Sequence, residues 1–231
     1  MSENANKGVN LKTVLVAVFT CASLLSSCLV FAEPPENLDF IGGYYEDGQY
    51  HCYSEPCFTI HKGTEAAIAK IRPFNAREWA NKRGNACQKT YTQVLAETSQ
   101  IEISYAKKNE CVFVTNGQWL DPYTNKVVDG VRSIALDQRI SLQEAHYYGG
   151  SGWPRSKRMA FKNDPMNLLP VSIEQKRERN GRPGTQWMPQ NKAYWCDYVV
   201  HREIVARQYD LRPPKHERDF NKEMKVLYCK Y

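Results

Sequence analysis

The chain has no apolar run long enough to cross a bilayer, no internal repeat, no low-complexity tract and no second close cysteine pair to match Cys52 and Cys57. The apolar run from Val14 through Leu25 is too short to span, and no stop-transfer cluster of basic residues follows it, which argues against a membrane anchor. Zinc is a competing use of cysteine, but the missing second close pair speaks against it. What surrounds the apolar run reads instead as a secretory signal over 1–32: Lys7 and Lys12 come before it, and small residues lead to Ala32. Two cleavage sites compete. Val30-Phe31-Ala32 suits a soluble product, whereas Leu25-Ser26-Ser27-Cys28 reads as a lipobox that would lipidate Cys28 and tether the protein to a membrane.

Removal of that leader leaves a chain of ordinary domain size, with aromatics spread throughout, and one domain is expected. Of the eight cysteines, Cys21 and Cys28 lie in the leader, so six remain in a compartment that oxidises thiols. Three disulfides are the economical reading; spacing alone leaves fifteen pairings open, although Cys52 and Cys57 are near enough to close a small loop. The formal charge is +6. Basic residues gather between Arg155 and Arg182, where Lys157, Arg158, Lys162, Lys176, Arg177, Arg179 and Arg182 outnumber the acids. Such an excess suits a polyanion through attraction to phosphate and counterion release, and it equally describes a solvated basic face.

Pattern along the chain predicts a mixed α+β domain. Residues 33 to 48 are rich in Pro, Gly and Tyr without periodicity and predict an extended arm that packs by its aromatics. Helices are expected over 64–71 and 87–99, and strands over 101–105 and 111–114, with Gly117 and Asp121-Pro122 as punctuation. Residues 132–142 read as one extended segment whose apolar parity, Ile134, Leu136, Ile140 and Leu142, turns Asp137 to the other side. Pro154 predicts the start of a helix that stops near Asn163-Asp164-Pro165. Ser172 predicts the cap of another that ends at Gly181, and two further helices are expected over 192–209 and 217–228.

From Cys87 to the end, several short motifs fall in a specific order. Cys111-Val112 is followed by Gly117, Trp119 and Asp121-Pro122-Tyr123-Thr124; Asp137 then leads to Glu144-Ala145-His146. Gly152-Trp153, Lys157-Arg158, Ala160-Phe161 and Asn163-Asp164-Pro165 precede Asn167-Leu168, and Trp187-Met188-Pro189 with Asn191-Lys192-Ala193-Tyr194 leads to Cys196. In this order the chain resembles the GmrSD-type restriction endonuclease C-terminal domain family, a branch of the HNH or His-Me finger nucleases, over 87–231, with 33–86 as an N-terminal arm and helical extension. The resemblance implies an α+β fold built on a ββα-metal unit with additional helices. It also implies the pairs Cys87–Cys111 and Cys196–Cys229, which leaves Cys52 with Cys57.

Phosphodiester hydrolysis in that family needs a general base to activate water and a divalent cation to stabilise charge. The base is the histidine after the aspartate that Asp137 matches, and here that position is Gln138, whose carboxamide cannot accept a proton near neutral pH. The family's metal-binding asparagine falls at Lys176, which donates and cannot ligate, and an arginine shortly after the first cysteine becomes Thr90. Asp137 remains as a possible cation ligand or a hydrogen-bonded strand-end carboxylate. Asn180, four residues beyond Lys176, is a possible substitute ligand. His146 reads as a packing residue or a reassigned base, and Asn167 as a bridge between backbone groups. Trp119, Tyr123, Trp153, Trp187 and Tyr194 read as core.

The favoured expectation is a periplasmic or secreted nuclease-fold protein that binds nucleic acid or another polyanion, needs no cofactor and has lost most or all hydrolytic power. In it, Lys176, Arg177, Arg179 and Arg182 bind phosphate, and Gln138, Lys176 and His146 converge on one basic cleft. One rival is a working endonuclease using Mg2+ or Mn2+, with His146 as base and Asp137 and Asn180 as ligands. Another is an exported module that binds a protein partner through its Tyr-rich arm.

Overall fold

The computed structural model describes residues 42–47, 49–53, 72–80 and 89–230, together with Leu38, Cys57 and Cys87. The leader and the helix expected over 64–71 lie outside the described residues. Mixed α+β architecture is present, with small antiparallel sheets in which three of four strand pairs join chain neighbours. These are β1 (Gly43–Glu46) with β2 (Gln49–Cys52), β3 (Ser104–Lys108) with β4 (Cys111–Asn116), and β5 (Gln118–Asp121) with β6 (Lys126–Asp129). Asn109 and Glu110 both take positive φ, 48° and 62°, as a two-residue turn between twisted strands requires. The fourth pair is long-range: β7 (Ile134–Gln138) meets β8 (Leu168–Ser172), with Gln138 opposite Leu168.

Helices carry the rest: α1 (Lys89–Thr98), α2 (Leu142–Tyr147), α3 (Arg155–Lys162), α4 (Ile173–Arg179), α5 (Trp195–Gln208) and α6 (Lys215–Tyr228). Helix α4 follows β8 without a loop because Ser172 caps it, its hydroxyl accepting from the Gln175 N–H. The resulting order, strand, long insertion, strand, helix, sets α4 against both β7 and β8.

Two expectations need correction, and two features add to the sequence reading. The arm is not merely extended; it folds as the β1–β2 hairpin and buries Tyr50 in the core. The Asp121-Pro122 punctuation is the turn that joins β5 to β6. Residues 132–142 do not form one strand. A capping box stops the extended run: the Glu144 N–H donates to Ser141 Oγ at 3.1 Å and the Ser141 N–H donates to Glu144 Oε2 at 2.8 Å, starting α2. Finally, Leu168–Ser172 is a strand despite Pro170, because each strand here has a free edge where a missing N–H is tolerated.

Apolar side chains gather in three clusters. One joins Tyr50, Trp79, Tyr148, Phe161 and Val205; another Tyr123, Val171, Trp187, Tyr198 and Val199; the third Val94, Leu95, Trp119, Ile134 and Leu136. The cysteines pair as Cys52–Cys57, Cys87–Cys111 and Cys196–Cys229. Three disulfides suit an oxidising compartment, and no helix among the described residues is long and apolar enough to cross a membrane. The Cys196–Cys229 bridge joins the start of α5 to the residue after α6 across 33 positions. Replacing both cysteines with alanine is expected to lower stability by about 3–4 kcal/mol from chain entropy. A urea midpoint unchanged from the parent protein would show that the bridge adds nothing.

Candidate functional site

Strand β7 delivers Asp137 to the protein interior and ends at Gln138. Asp137 is 6 % exposed, and its Oδ2 accepts from Arg179 Nη1 at 2.8 Å and from the Tyr123 hydroxyl at 2.9 Å. Arg179 is fully buried and also donates to the Gln138 carbonyl, to the Arg139 carbonyl at 3.0 Å and to Glu144 Oε2 at 3.3 Å. Glu144 Oε1 then accepts from Arg202 Nη2 at 2.6 Å, and the same nitrogen reaches Glu217 Oε1 at 2.5 Å. Glu217 finally accepts from the Tyr148 hydroxyl. Five buried charges from β7, α2, α4, α5 and α6 thus alternate in sign along one chain of contacts. Burial opposes the charges on Arg179 and Arg202, but their carboxylate neighbours outweigh it and hold both guanidinium pKa values well above the ordinary one.

This chain corrects two expectations. Arg179 does not belong to a phosphate-binding surface, since every part of it is inside the protein. Asp137 is a poor candidate ligand because a cation beside it would face the Arg179 guanidinium at contact distance, and like charges repel. Among the described residues no group of three or more His, Cys, Asp or Glu side chains forms a metal site. Asn180 is corrected as well: it leaves the helix at φ 48°, where it terminates α4, and so does not extend the face that carries Lys176. Arg182 closes the same helix end, donating to the carbonyls of Arg179 and Glu178 at 3.1 and 2.6 Å.

His146 does not reach the hairpin. It is 1 % exposed on α2, its Nε2 lies 2.7 Å from the Arg72 carbonyl, and Phe74, Trp79 and Tyr147 pack their rings around it. Since a carbonyl can only accept, Nε2 carries the proton and the basic lone pair is on Nδ1, which is buried without a hydrogen-bond partner among the described residues. Burial lowers the imidazole pKa, with the Arg72 carbonyl opposing in part.

Asn167 sits between the strand ends. Its Oδ1 accepts from the Ile140 N–H at 2.9 Å and its Nδ2 donates to the Ile140 carbonyl at 3.1 Å, clamping the chain just after Gln138 to the start of β8. Asp121 does similar work: Oδ1 accepts from the Tyr123 N–H and Oδ2 from the Ser172 N–H, tying the β5 turn to the start of α4. The sequence reading quoted Asp121 and Glu144 within motifs but gave no role to them, nor to Arg202 and Glu217. Of these only Glu144 carried a local signal, three residues after Ser141.

The open part of the site is cationic. Lys176 is exposed on α4, yet its Nζ donates to the Leu136 carbonyl at 2.7 Å, which holds the ammonium against β7 two residues before Gln138. Lys162 at the end of α3 has a lowered pKa, first from burial and then from Arg155 and Lys176, so both of those cations lie within electrostatic reach of it. None of the three forms an ion pair among the described residues, and neither does the exposed Arg177. Gln138 is half-buried, and its carboxamide makes no hydrogen bond among the described residues.

Two outcomes follow from this geometry. Glu144→Gln leaves two buried guanidiniums short of a carboxylate and is expected to cost about 3–5 kcal/mol in urea unfolding; a loss under 1 kcal/mol would mean that the chain of charges is incidental. For His146, the unfolded ring titrates near 6.5 and the folded ring lower. Its contribution is therefore complete above about pH 6.5 and is lost as the pH falls through the folded value. His146→Gln, which can still donate to the Arg72 carbonyl, should flatten that decline between pH 7.5 and 5.5; an identical decline in both proteins would place its origin elsewhere.

Compared with protein-family models, with characterised proteins and with solved structures, the chain matches none.

Proposed function

We propose that this chain is an exported protein of nuclease-like ββα build that holds the phosphates of a nucleic acid without cutting them. The observation that carries the reading is Lys176, held against β7 by its bond to the Leu136 carbonyl, with Lys162 near enough to feel both it and Arg155, three cations without carboxylate partners among the described residues. Like charges held together cost free energy in the unliganded protein, and an anion placed among them removes that cost. Lysine suits such a task because a compact ammonium holds phosphate without coordination geometry. Arg177 and the stacked Lys157, 4.6 Å from the Trp153 ring, extend the basic surface on α4 and α3.

The order β7, β8, α4 supports the likeness to a His-Me finger, because that unit is an antiparallel strand pair followed by a helix packed on it. In this reading Gln138 ends the first strand where the family's base stands, and Lys176 occupies the helix where its metal ligand stands. An amide takes no proton from water at neutral pH, and an ammonium binds no cation. His146 offers no replacement base in this reading, because the nitrogen left basic by its bond to the Arg72 carbonyl, Nδ1, is buried from solvent. Hydrolysis therefore lacks both of its chemical agents, while the cations that neutralise phosphate remain. Export accords with the three disulfides.

Fluorescence anisotropy with a short labelled duplex and a short RNA tests the proposal. Binding should weaken with salt, stay unchanged in EDTA, and lose about 2 units of log–log salt slope in a Lys162→Ala/Lys176→Ala variant. Plasmid nicking that appears with Mg2+ or Mn2+, or binding indifferent to salt, would overturn it.

A further inference from the structure

Helices α5 and α6 run beside each other and leave a cleft of about 340 Å³ between them. Ile140, Ala206, Leu211 and Pro213 are its apolar lining, and the other residues around it are polar or charged. Those charges do not balance. Arg202 and Glu217 are buried and paired with each other, and Lys225 meets Glu203 at 2.6 Å. Arg207, Arg218 and Lys222 are left, all exposed. Arg207 comes no nearer to Glu203 than 4.0 Å, and neither Arg218 nor Lys222 forms an ion pair among the described residues. Asp219 lies within electrostatic reach of both, but Lys215 holds it at 2.5 Å. We infer that the cleft is a binding site for a small amphiphile with one carboxylate, a medium-chain fatty acid, whose head group meets Arg218 and Lys222 and whose hydrocarbon chain lies along the cleft.

The chemistry narrows the occupant. Arg218 and Lys222 stand four residues apart on α6, so their heads are near enough for one carboxylate to meet both. Arg218 gives one N–H to the Pro213 carbonyl and keeps the others for a ligand. Inside, the surface that the cleft exposes is mainly apolar, as expected where lysine and arginine stems lie along a wall and their heads stay in water. A neutral hydrocarbon fits the walls and leaves the cations uncompensated, and an alkylammonium is repelled by them. A bare anion meets the cations but leaves the apolar walls wet. A nucleic-acid strand offers phosphate without a chain for the interior. A single carboxylate on an apolar chain answers both features, and the space is in the size range of small-molecule sites.

The cleft is also set in advance. The Cys196–Cys229 disulfide joins the two helices at one end, and the Arg202–Glu217 and Lys225–Glu203 ion pairs join them along its length. A ligand therefore meets walls that need little ordering, which favours binding by small molecules. The cleft shares no lining residue with the Lys162 and Lys176 surface, and the inference stands without the nucleic-acid reading.

Calorimetric titration of the mature protein with octanoate, octanol, octylammonium and acetate tests the inference. Octanoate should bind about tenfold more tightly than octanol, the advantage expected of charge-assisted hydrogen bonds. Acetate and octylammonium should bind more weakly still. Arg218→Ala/Lys222→Ala should bring octanoate down to the level of octanol, whereas Lys162→Ala/Lys176→Ala should leave it unchanged. Crystals of the unaltered protein soaked in ω-bromooctanoate should show anomalous bromine scattering in the cleft, a result that does not depend on any variant folding. Acetate binding as tightly as octanoate would reduce the cleft to a general anion surface and overturn the inference. So would octanol or octylammonium matching octanoate, no binding of octanoate, full affinity in the Arg218→Ala/Lys222→Ala protein, or bromine located elsewhere.

Discussion

Asp137, Arg179, Glu144, Arg202 and Glu217 meet inside the protein as three carboxylates and two guanidiniums in alternating order, with the Tyr123 and Tyr148 hydroxyls at the two ends. A single buried charge is costly, and each member is tolerable only because its neighbours stand at hydrogen-bonding distance. That requirement is geometric. It fixes β7, α2, α4, α5 and α6 relative to one another, where apolar packing alone accepts small slips. Hydrophobic residues of like volume can often replace such a chain without loss of stability, so its value here lies in position more than in free energy.

The proposed phosphate-binding surface inherits its shape from that chain. Arg179 anchors α4 to the end of β7, and the same helix carries Lys176 on its outer side, where the ammonium reaches the Leu136 carbonyl. With Asp137 committed inward to a guanidinium, the hairpin mouth presents an amide and lysines to solvent instead of a carboxylate and an imidazole. A surface that under the proposed reading could once support metal chemistry is left with charge of one sign, which suits neutralising phosphate and not activating water. Arg202 meets both of its carboxylates through Nη2 and the Arg139 carbonyl through Nη1, which ties α5 to the same chain of contacts.

Much of this was legible in the sequence, and the misses share a physical cause. Helices α3 and α4 declared themselves through Pro154, Ser172 and Gly181, since caps and breakers act over a few residues. The mixed architecture and the count of three disulfides were likewise readable, whereas spacing left fifteen pairings open and only the family resemblance implied the set found. Strand β8 was not, because Leu168–Ser172 is short, apolar up to its last residue and interrupted by Pro170; only its partner β7, far away in the chain, makes it a strand. The segment 132–142 misled because Ile140 and Leu142 continue the parity of Ile134 and Leu136 by chance, while the Ser141-Glu144 box decides the local structure. At the site, Lys176 and Gln138 stood out as departures from a pattern. Arg179 and Arg202 look like surface residues in sequence, and their burial depends on carboxylates that no local spacing brings near. His146 was read as a packing residue or a reassigned base, and its contacts are those of packing: the Arg72 carbonyl, Phe74 and Trp79 come from a distant segment, and the neighbouring Tyr147 adds a third ring.

The central claim is that the end of β7 meets phosphate through side-chain cations and without a metal. Crystals soaked with MnCl2 and a short oligonucleotide, measured at the manganese absorption edge, test it most directly. The account predicts phosphate density between Lys162 and Lys176 and no manganese beside Asp137. A manganese peak coordinated by Asp137, with Arg179 displaced from it, would contradict the account.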